Sequence, residues 1–162
     1  MHMEQDRTHS GPAHAAGAVS VEDSAAMNHV VHRLMDVYNR LDSEHLHLLD
    51  EIYSADVLFE DPAQRIYGLS ALRERMGELY RNVRSCRFTY NTRVEAQGTA
   101  MLEWTMHLRH VRFHPDRELN LPGATLLHFD EGGVYLHRDF YDLGALIYER
   151  VPLLGRLIRR IK

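Results

Sequence analysis

The sequence predicts an α+β domain in which helices come first and long antiparallel strands follow. Apolar residues recur every three to four positions over residues 27–41, which indicates a helix with one buried side. From residue 86 to residue 142, in contrast, the chain has long stretches of strand character separated by short polar turns. Between these regions a short strand ends at Pro62, because proline interrupts strand hydrogen bonding. Helices followed by a run of strands are typical of the α+β class.

The elements can be assigned in chain order. The first helix begins near Val21, where Ser20 or Asp23 can act as its cap. A short second helix is predicted over residues 45–52 and a third over residues 71–82. The strands share an alternating or apolar pattern and are predicted at residues 57–62, 86–96, 99–113, 119–130 and 134–142.

The chain divides into three regions. Residues 1–21 are predicted to be a disordered tail, because they contain no apolar period. Residues 22–142 form one folded domain, and residues 143–162 form a basic amphipathic helical extension. The extension is expected to dock on the domain or on a dimer partner. Contact with a membrane surface is the less favoured alternative, since the helix is short for independent membrane binding.

Composition excludes several classes of protein. The chain has 162 residues and a formal net charge of −4, which argues against a nucleic-acid surface. Cys86 is the single cysteine, so an internal disulfide is excluded and a reducing compartment is favoured. No stretch approaches the ~18 consecutive apolar residues of a membrane span, and the first residues lack the apolar core of a signal peptide. We therefore expect a cytoplasmic protein.

Two motifs carry a family resemblance. The first is Phe59-Glu60-Asp61-Pro62, and the second is a C-terminal hairpin in which Leu121-Pro122-Gly123 opens one strand and His137 to Asp142 ends the other. With the order of elements, these motifs make residues 22–142 resemble the nuclear transport factor 2-like superfamily, also called SnoaL-like. The resemblance implies a cone in which a curved antiparallel sheet wraps three N-terminal helices around a small-molecule pocket. It also implies a homodimer.

Two enzyme families within that superfamily suggest functional positions. Ketosteroid isomerases carry a general-base aspartate in a similar motif, and it corresponds to Asp61. Limonene epoxide hydrolases have a similar final hairpin, in which the aspartate that positions water corresponds to Asp139. In that family a tyrosine and an asparagine that help to position the water correspond to Phe59 and Asp61. An arginine and a second aspartate correspond to Thr105 and His107. This sequence retains the same residue type at one of five functional positions of the epoxide hydrolases.

Candidate site residues follow from position and chemistry. We predict an acid/base set of Asp61, His107 and Asp139, since an imidazole near carboxylates can move a proton near neutral pH. Residues expected to contact the ligand are Tyr38, Phe59, Tyr67, Thr105, His128 and Tyr141. A metal site that adds His137 or His128 is an alternative, but no short-spaced ligand motif supports it. We therefore predict no metal and no cofactor.

Each candidate also has a purely structural interpretation. Asp61 precedes a proline and can cap a turn. His107 can face solvent or a dimer partner, and Asp139 can form an ion pair with Arg138. The opposite face of the same strand carries Leu102, Trp104, Met106 and Leu108, and it is expected to contact the core or a dimer partner.

The predicted function is that of a small-molecule pocket protein. One hypothesis is a cofactor-free isomerase, hydratase or hydrolase, or cyclase that uses Asp/His acid–base chemistry on an apolar substrate. The alternative is a non-catalytic ligand-binding or dimerisation module. The two are distinguished by geometry, because an acid/base set requires its members within hydrogen-bond or one-water reach around a cavity.

Overall fold

A computed structural model describes residues 21–111 and 117–148 of this chain, with side chains from His29 to Val111 and from Arg117 to Ala145. The predictions for the tail before residue 21 and for the extension beyond residue 148 lie outside these residues. Within the described ranges, no helix is long and apolar enough to cross a membrane.

The helices lie close to their predicted positions. They are α1 (Val21–Arg40), a 3-10 helix (Leu46–Glu51), α2 (Leu69–Tyr80) and α3 (Leu143–Tyr148). Along α1 the buried residues Val31, Leu34, Val37 and Tyr38 recur at the helical period, as predicted. The second predicted helix is a 3-10 helix of six residues instead of an α-helix. It follows a tight turn in which the Asp42 carboxylate accepts hydrogen bonds from two backbone N–H groups, and such short segments are typical of 3-10 geometry.

The sheet contains six strands. They are β1 (Tyr53–Asp61), β2 (Gln64–Tyr67), β3 (Val83–Ala96), β4 (Thr99–His110), β5 (Leu119–Asp130) and β6 (Gly133–Tyr141). Their spatial order is β2-β1-β6-β5-β4-β3, so β3 to β6 form the predicted antiparallel meander. The strand β2 is not among the elements predicted from the sequence. It forms because Asp61 closes a tight turn that lets the chain reverse and pair with β1.

One strand pair departs from the expected antiparallel sheet. β1 lies parallel to β6, with Phe59 opposite His137 and Glu60 opposite Arg138. On the outer side of this pair, the Glu60 carboxylate accepts hydrogen bonds from Arg138 and is also paired with Arg65. The parallel pairing places β6 in the middle of the sheet, between β1 and β5.

The two faces of the curved sheet differ in burial. The inner face packs against the helices and carries Leu102, Trp104, Leu127 and Phe59 in the hydrophobic core. The alternate residues form the outer face, where side chains such as Met101 and Phe140 are exposed. This alternation decides which of the candidate side chains meet.

Candidate functional site

A continuous chain of hydrogen bonds lies on the inner face. The hydroxyl oxygens of Tyr38 and Tyr53 are 2.6 Å apart, and the Tyr53 hydroxyl oxygen is 2.6 Å from Nδ1 of His137. On the other side of the imidazole ring, Nε2 lies 2.9 Å from Oδ1 of Asp139. Four side chains from α1, β1 and β6 are therefore joined in one network.

A second arm of the network reaches Asp139 from β4 and β5. Nε1 of Trp104 donates to Oγ1 of Thr125 at 2.8 Å. The Thr125 hydroxyl in turn donates to Oδ1 of Asp139 at 2.5 Å. Among the described residues, both hydrogen bonds to Asp139 therefore end on the same oxygen. Oδ2 keeps its hydrogen-bonding capacity.

Local sequence features bring these side chains together. His137 and Asp139 are two residues apart on the central strand β6, so both point to the inner face. Thr125 is the register partner of Asp139 on β5. Trp104 packs over Gly123, its own register partner, and a Cβ at that position would lie only 2.3 Å from Cη2 of the indole. A glycine at position 123 is thus needed for the indole to approach Thr125.

The network is buried. The His137 side chain is 3% exposed and that of Asp139 is 16% exposed. Burial, together with the charge of nearby Asp139, raises the pKa of the Tyr38 hydroxyl well above its usual value. Burial also raises the pKa of Tyr53, with smaller contributions from Tyr38 and Asp139. Both phenols therefore keep their protons and can donate hydrogen bonds.

The distances fit two arrangements of protons. If the imidazole is neutral and Nε2–H donates to Asp139, Nδ1 accepts from Tyr53 and every donor points toward the carboxylate. If His137 is an imidazolium ion paired with Asp139, Nδ1–H donates to Tyr53, and Tyr53 donates to Tyr38. In the second arrangement the Tyr38 hydroxyl proton is free to point elsewhere.

A small cavity of about 20 Å³ adjoins the network. Its lining combines aliphatic, aromatic and polar side chains, namely those of Leu34, Tyr38, Phe88, Tyr90, Leu102, Trp104, Thr125, His137 and Asp139. Both ends of the hydrogen-bond chain, Tyr38 and Asp139, thus line the same apolar space. Within the described residues, no group of three or more His, Cys, Asp or Glu side chains could hold a metal ion.

Several predicted site residues lie on this inner face. Tyr38 and Asp139 belong to the network, and the Phe59 ring packs against His137 with centroids 4.8 Å apart. Asp61 lies two residues beyond Phe59, and its carboxylate caps a turn by accepting the backbone N–H groups of residues 63 and 64 at 2.7 and 2.9 Å. Burial and the charges of Asp61 and Asp139 together raise the pKa of the Tyr141 hydroxyl. The structure thus brings Asp61, Asp139 and Tyr141 to one region.

The other predicted residues lie elsewhere. His107 is on the outer face, where Nε2 is 2.9 Å from the Thr89 hydroxyl and Nδ1 is 2.8 Å from Oδ1 of Asn120. Thr105 shares that face by the period of two. The structure therefore does not bring His107 together with Asp61 and Asp139. The reason is the burial of Trp104, which turns its odd-numbered neighbours outward.

The two remaining candidates are also separated from the network. His128 pairs with the Thr99 hydroxyl at 3.0 Å and stacks on Tyr135, and Tyr67 is largely exposed on β2. The suggested pairing of Asp139 with Arg138 does not occur, because Arg138 faces outward and pairs with Glu60.

Four members of the network are not among the acid/base or ligand-contacting residues predicted from the sequence, namely Tyr53, Trp104, Thr125 and His137. The available signal was the two-residue spacing of His137 and Asp139, which places both on one strand face. Tyr53 and Thr125 carry no comparable signal, because their partners are distant in the sequence.

Comparison with known proteins agrees with this architecture. A family model described as the SnoaL-like domain matches residues 31–137, which is more than half of the chain. Among curated proteins, none matches this sequence.

Solved structures with the same fold include a candidate SnoaL-like polyketide cyclase from Jannaschia sp. CCS1. It has a TM-score of 0.67 and 14% identity, over 85% of this chain and 99% of that one. An LEH-like epoxide hydrolase from M. tuberculosis has a TM-score of 0.63 and 16% identity, over 82% and 97%. A protein with a ketosteroid isomerase-like fold from Catenulispora acidiphila DSM 44928, in complex with trimethylamine, has a TM-score of 0.64 and 15% identity, over 75% and 91%.

The helices, the curved six-stranded sheet and these matches define an NTF2-like α+β cone. Within that class, the chain belongs to the SnoaL-like domain family.

Proposed function

We propose that this chain binds a small, largely apolar molecule beside Asp139 and moves a proton on it, with Asp139 as the base. The observation that supports this proposal is the position of Asp139. Its carboxylate lines an apolar cavity while Thr125 and His137 hold one of its two oxygens. A carboxylate that is fixed through one oxygen and keeps the hydrogen-bonding capacity of the other is suited to general-base chemistry.

Several reactions can use this arrangement. Oδ2 of Asp139 can take a proton from a carbon next to a carbonyl group, which leads to isomerisation or cyclisation, or from a water molecule, which leads to hydration or hydrolysis. His137 can stabilise either protonation state of the carboxylate, since its two ring nitrogens already contact Asp139 and Tyr53. None of these steps requires a cofactor.

The predicted acid/base set is revised accordingly. Asp139 remains the proposed base, and His137 replaces His107 as the proposed histidine of the set. Asp61 remains a proposed second carboxylate of the site, since it shares the inner face and acts electrostatically on Tyr141 as Asp139 does. Structural relatives described as a candidate polyketide cyclase and an epoxide hydrolase support a small organic substrate.

A second candidate function is non-catalytic. Each member of the network has a hydrogen-bond partner within it, and the cavity of about 20 Å³ is far smaller than the ~300–1,000 Å³ of typical ligand pockets. These features favour a ligand-binding or dimerisation module in which the network specifies the fold. For catalysis, the rings that close the cavity, such as those of Phe88 and Tyr90, have to move aside.

Proton exchange distinguishes the two candidates. Apolar ketones, aromatic polyketide fragments and epoxides are screened by NMR for binding, and the bound ketones are then followed for deuterium uptake in D₂O. We expect Asp139→Asn to bind the same compounds but to exchange their protons at least 100-fold more slowly, because the base is lost. Asp56→Asn, an exposed aspartate on β1, is the matched control and should behave as wild type. Exchange by Asp139→Asn at the wild-type rate would exclude catalysis by this carboxylate.

We also propose that a second copy of the chain covers the outer face of the sheet. Val94, Met101 and Phe140 are exposed there, and Val94 and Met101 are register partners. Light scattering after size exclusion should show a dimer that Met101→Glu dissociates. Leu79→Glu, at an equally exposed position on α2, should leave the dimer intact. A monomeric wild-type protein would contradict this proposal.

We propose a cytoplasmic location as well. A reduced thiol is expected in that compartment, and Cys86 is the single cysteine of the chain. Detection of the folded protein in a cytosolic fraction is the direct test.

A further inference from the structure

The network of Tyr38, Tyr53, His137 and Asp139 has a geometric property that base catalysis alone does not use. The chain of hydrogen bonds begins at Tyr38 and ends at Asp139, and both of these residues line the same cavity. His137 also lines the cavity, whereas Tyr53 is not among its lining residues. One network of hydrogen bonds therefore reaches the cavity at both of its ends.

We propose that Tyr38 is the acid of this site and receives its proton from His137 through Tyr53. This inference rests on the proposed role of Asp139 as the base. It defines the substrate as a carbonyl compound that presents its oxygen to Tyr38 and a removable C–H proton to Asp139. It also defines the reaction as an isomerisation or ring closure through an enol, in which water is neither consumed nor released.

The contacts are those that a proton relay requires. The oxygens of Tyr38 and Tyr53 are 2.6 Å apart, and the oxygen of Tyr53 is 2.6 Å from Nδ1 of His137. Each group in the relay can release one proton and accept another, because phenols and imidazole are both donors and acceptors. In the arrangement with an imidazolium ion, every donor from His137 onward points toward Tyr38.

The step balances in protons and electrons. The substrate C–H bond breaks, its proton goes to Oδ2 of Asp139, and its electron pair forms the C=C bond of an enol. The carbonyl π electrons move to the substrate oxygen, which takes the proton of Tyr38. Tyr53 then reprotonates Tyr38, and Nδ1–H of His137 reprotonates Tyr53. The site now holds a protonated Asp139 and a neutral His137.

The return half of the reaction restores the starting state. In the isomerisation the enol is conjugated to a C=C bond, and Asp139 delivers its proton to the far carbon of that dienol. In the ring closure the enol carbon attacks a second carbonyl carbon, and the oxygen of that carbonyl takes the proton of Asp139. In both reactions the C=O bond re-forms, and the enol O–H proton goes back to Tyr38 and through Tyr53 to His137. No oxidant, reductant or metal ion takes part in any of these steps.

Benzisoxazoles test the relay without knowledge of the natural substrate. When a base removes the ring C–H proton of these compounds, the electron pair forms a nitrile and the N–O bond breaks to leave a phenolate. Asp139 is the expected base and Tyr38 the expected acid at the phenolate oxygen. A series with substituents that vary the leaving-group acidity reports whether an acid acts, because acid assistance matters most for the least acidic leaving group.

The variants are Tyr38→Phe, Tyr53→Phe and Asp139→Asn, with Tyr67→Phe as the exposed control. We expect Asp139→Asn to be inactive. Tyr38→Phe and Tyr53→Phe should lose about 100-fold in kcat/KM for the least acidic leaving group and much less for the most acidic one. Tyr67→Phe should match wild type. A uniform loss across the series would indicate a structural role for Tyr38 and overturn the relay.

Other outcomes separate this inference from the proposed function. Full activity of Tyr38→Phe together with an inactive Asp139→Asn would overturn the relay and leave the base in place. A wild-type rate no higher than that of free carboxylate would overturn both. A measurement on the wild-type protein avoids any folding defect of the variants: ¹⁵N NMR should show protons on both ring nitrogens of His137. A neutral ring with its only proton on Nε2 would overturn the relay.

Discussion

Replacement of Thr125 by valine should destabilise the fold more than any exposed threonine replacement. Valine keeps the branched shape but removes the hydroxyl that accepts from Trp104 and donates to Asp139. A buried donor left without a partner costs about 1–3 kcal/mol, and a hydrogen bond to a charged group contributes about 1.5–3 kcal/mol. We expect the free energy of unfolding to fall by about 2–4 kcal/mol, since the two losses share one hydroxyl group.

Urea unfolding followed by the fluorescence of the single tryptophan measures this loss. The matched control is Thr92→Val, whose exposed hydroxyl donates to Glu103 at 2.7 Å on the outer face. This control should change stability by no more than about 0.5 kcal/mol. A double-mutant cycle with Trp104→Phe, followed by far-ultraviolet circular dichroism because these variants contain no tryptophan, should show a smaller effect of Thr125→Val, since the orphaned indole N–H is then absent. Equal losses for Thr125→Val and Thr92→Val would refute this reasoning.

Three further predictions concern other features of the molecule. Gly123→Ala should lower the free energy of unfolding by about 1–3 kcal/mol and shift the fluorescence of Trp104, because the added Cβ would overlap the indole. Gly132→Ala, at the exposed hairpin turn, is the control and should have little effect. Burial raises the pKa of Tyr53, so above pH 10 the unfolded chain loses this proton while the folded chain keeps it, and the free energy of unfolding should fall as the pH rises. Tyr53→Phe should reduce the slope of unfolding free energy against pH, measured by alkaline urea titrations, by about 1.4 kcal/mol per pH unit. Burial raises the pKa of the Cys86 thiol to about 11, so a disulfide reagent at pH 8 should label the folded protein about 100-fold more slowly than the unfolded one. Steady alkaline stability of wild type, or equal labelling rates, would contradict the last two predictions.

The main elements of the fold could be predicted because they depend on local patterns. The helical period of α1, the alternation of the meander strands and the proline after Asp61 are all visible in the sequence. The parallel pairing of β1 with β6 was not predicted, because a strand's pattern shows which face is buried but not which strand lies beside it.

The site was predicted only in part, and the reason lies in the register of β4. The comparison with epoxide hydrolases assigned functional positions to Thr105 and His107, but the inner face carries Trp104 instead. A one-residue displacement along a strand moves a side chain to the opposite face, so the assignment failed for the whole strand. On β6 the same comparison points to the inner face, where Asp139 is the proposed base.

The parallel pairing of β1 with β6 also bears on how the protein folds. Glu60 and Arg138, which join these strands, are 78 positions apart in the chain. During synthesis, the hairpin of β1 and β2 must wait with an unpaired edge until β3, β4 and β5 have been made and β6 has emerged. Such long-range pairing is slow and leaves strand edges available for aggregation. The network that joins Tyr53 to His137 is thus completed late, and mutations that weaken the pairing of β1 and β6 should lower the yield of folded protein in cells before they change any property of the folded state.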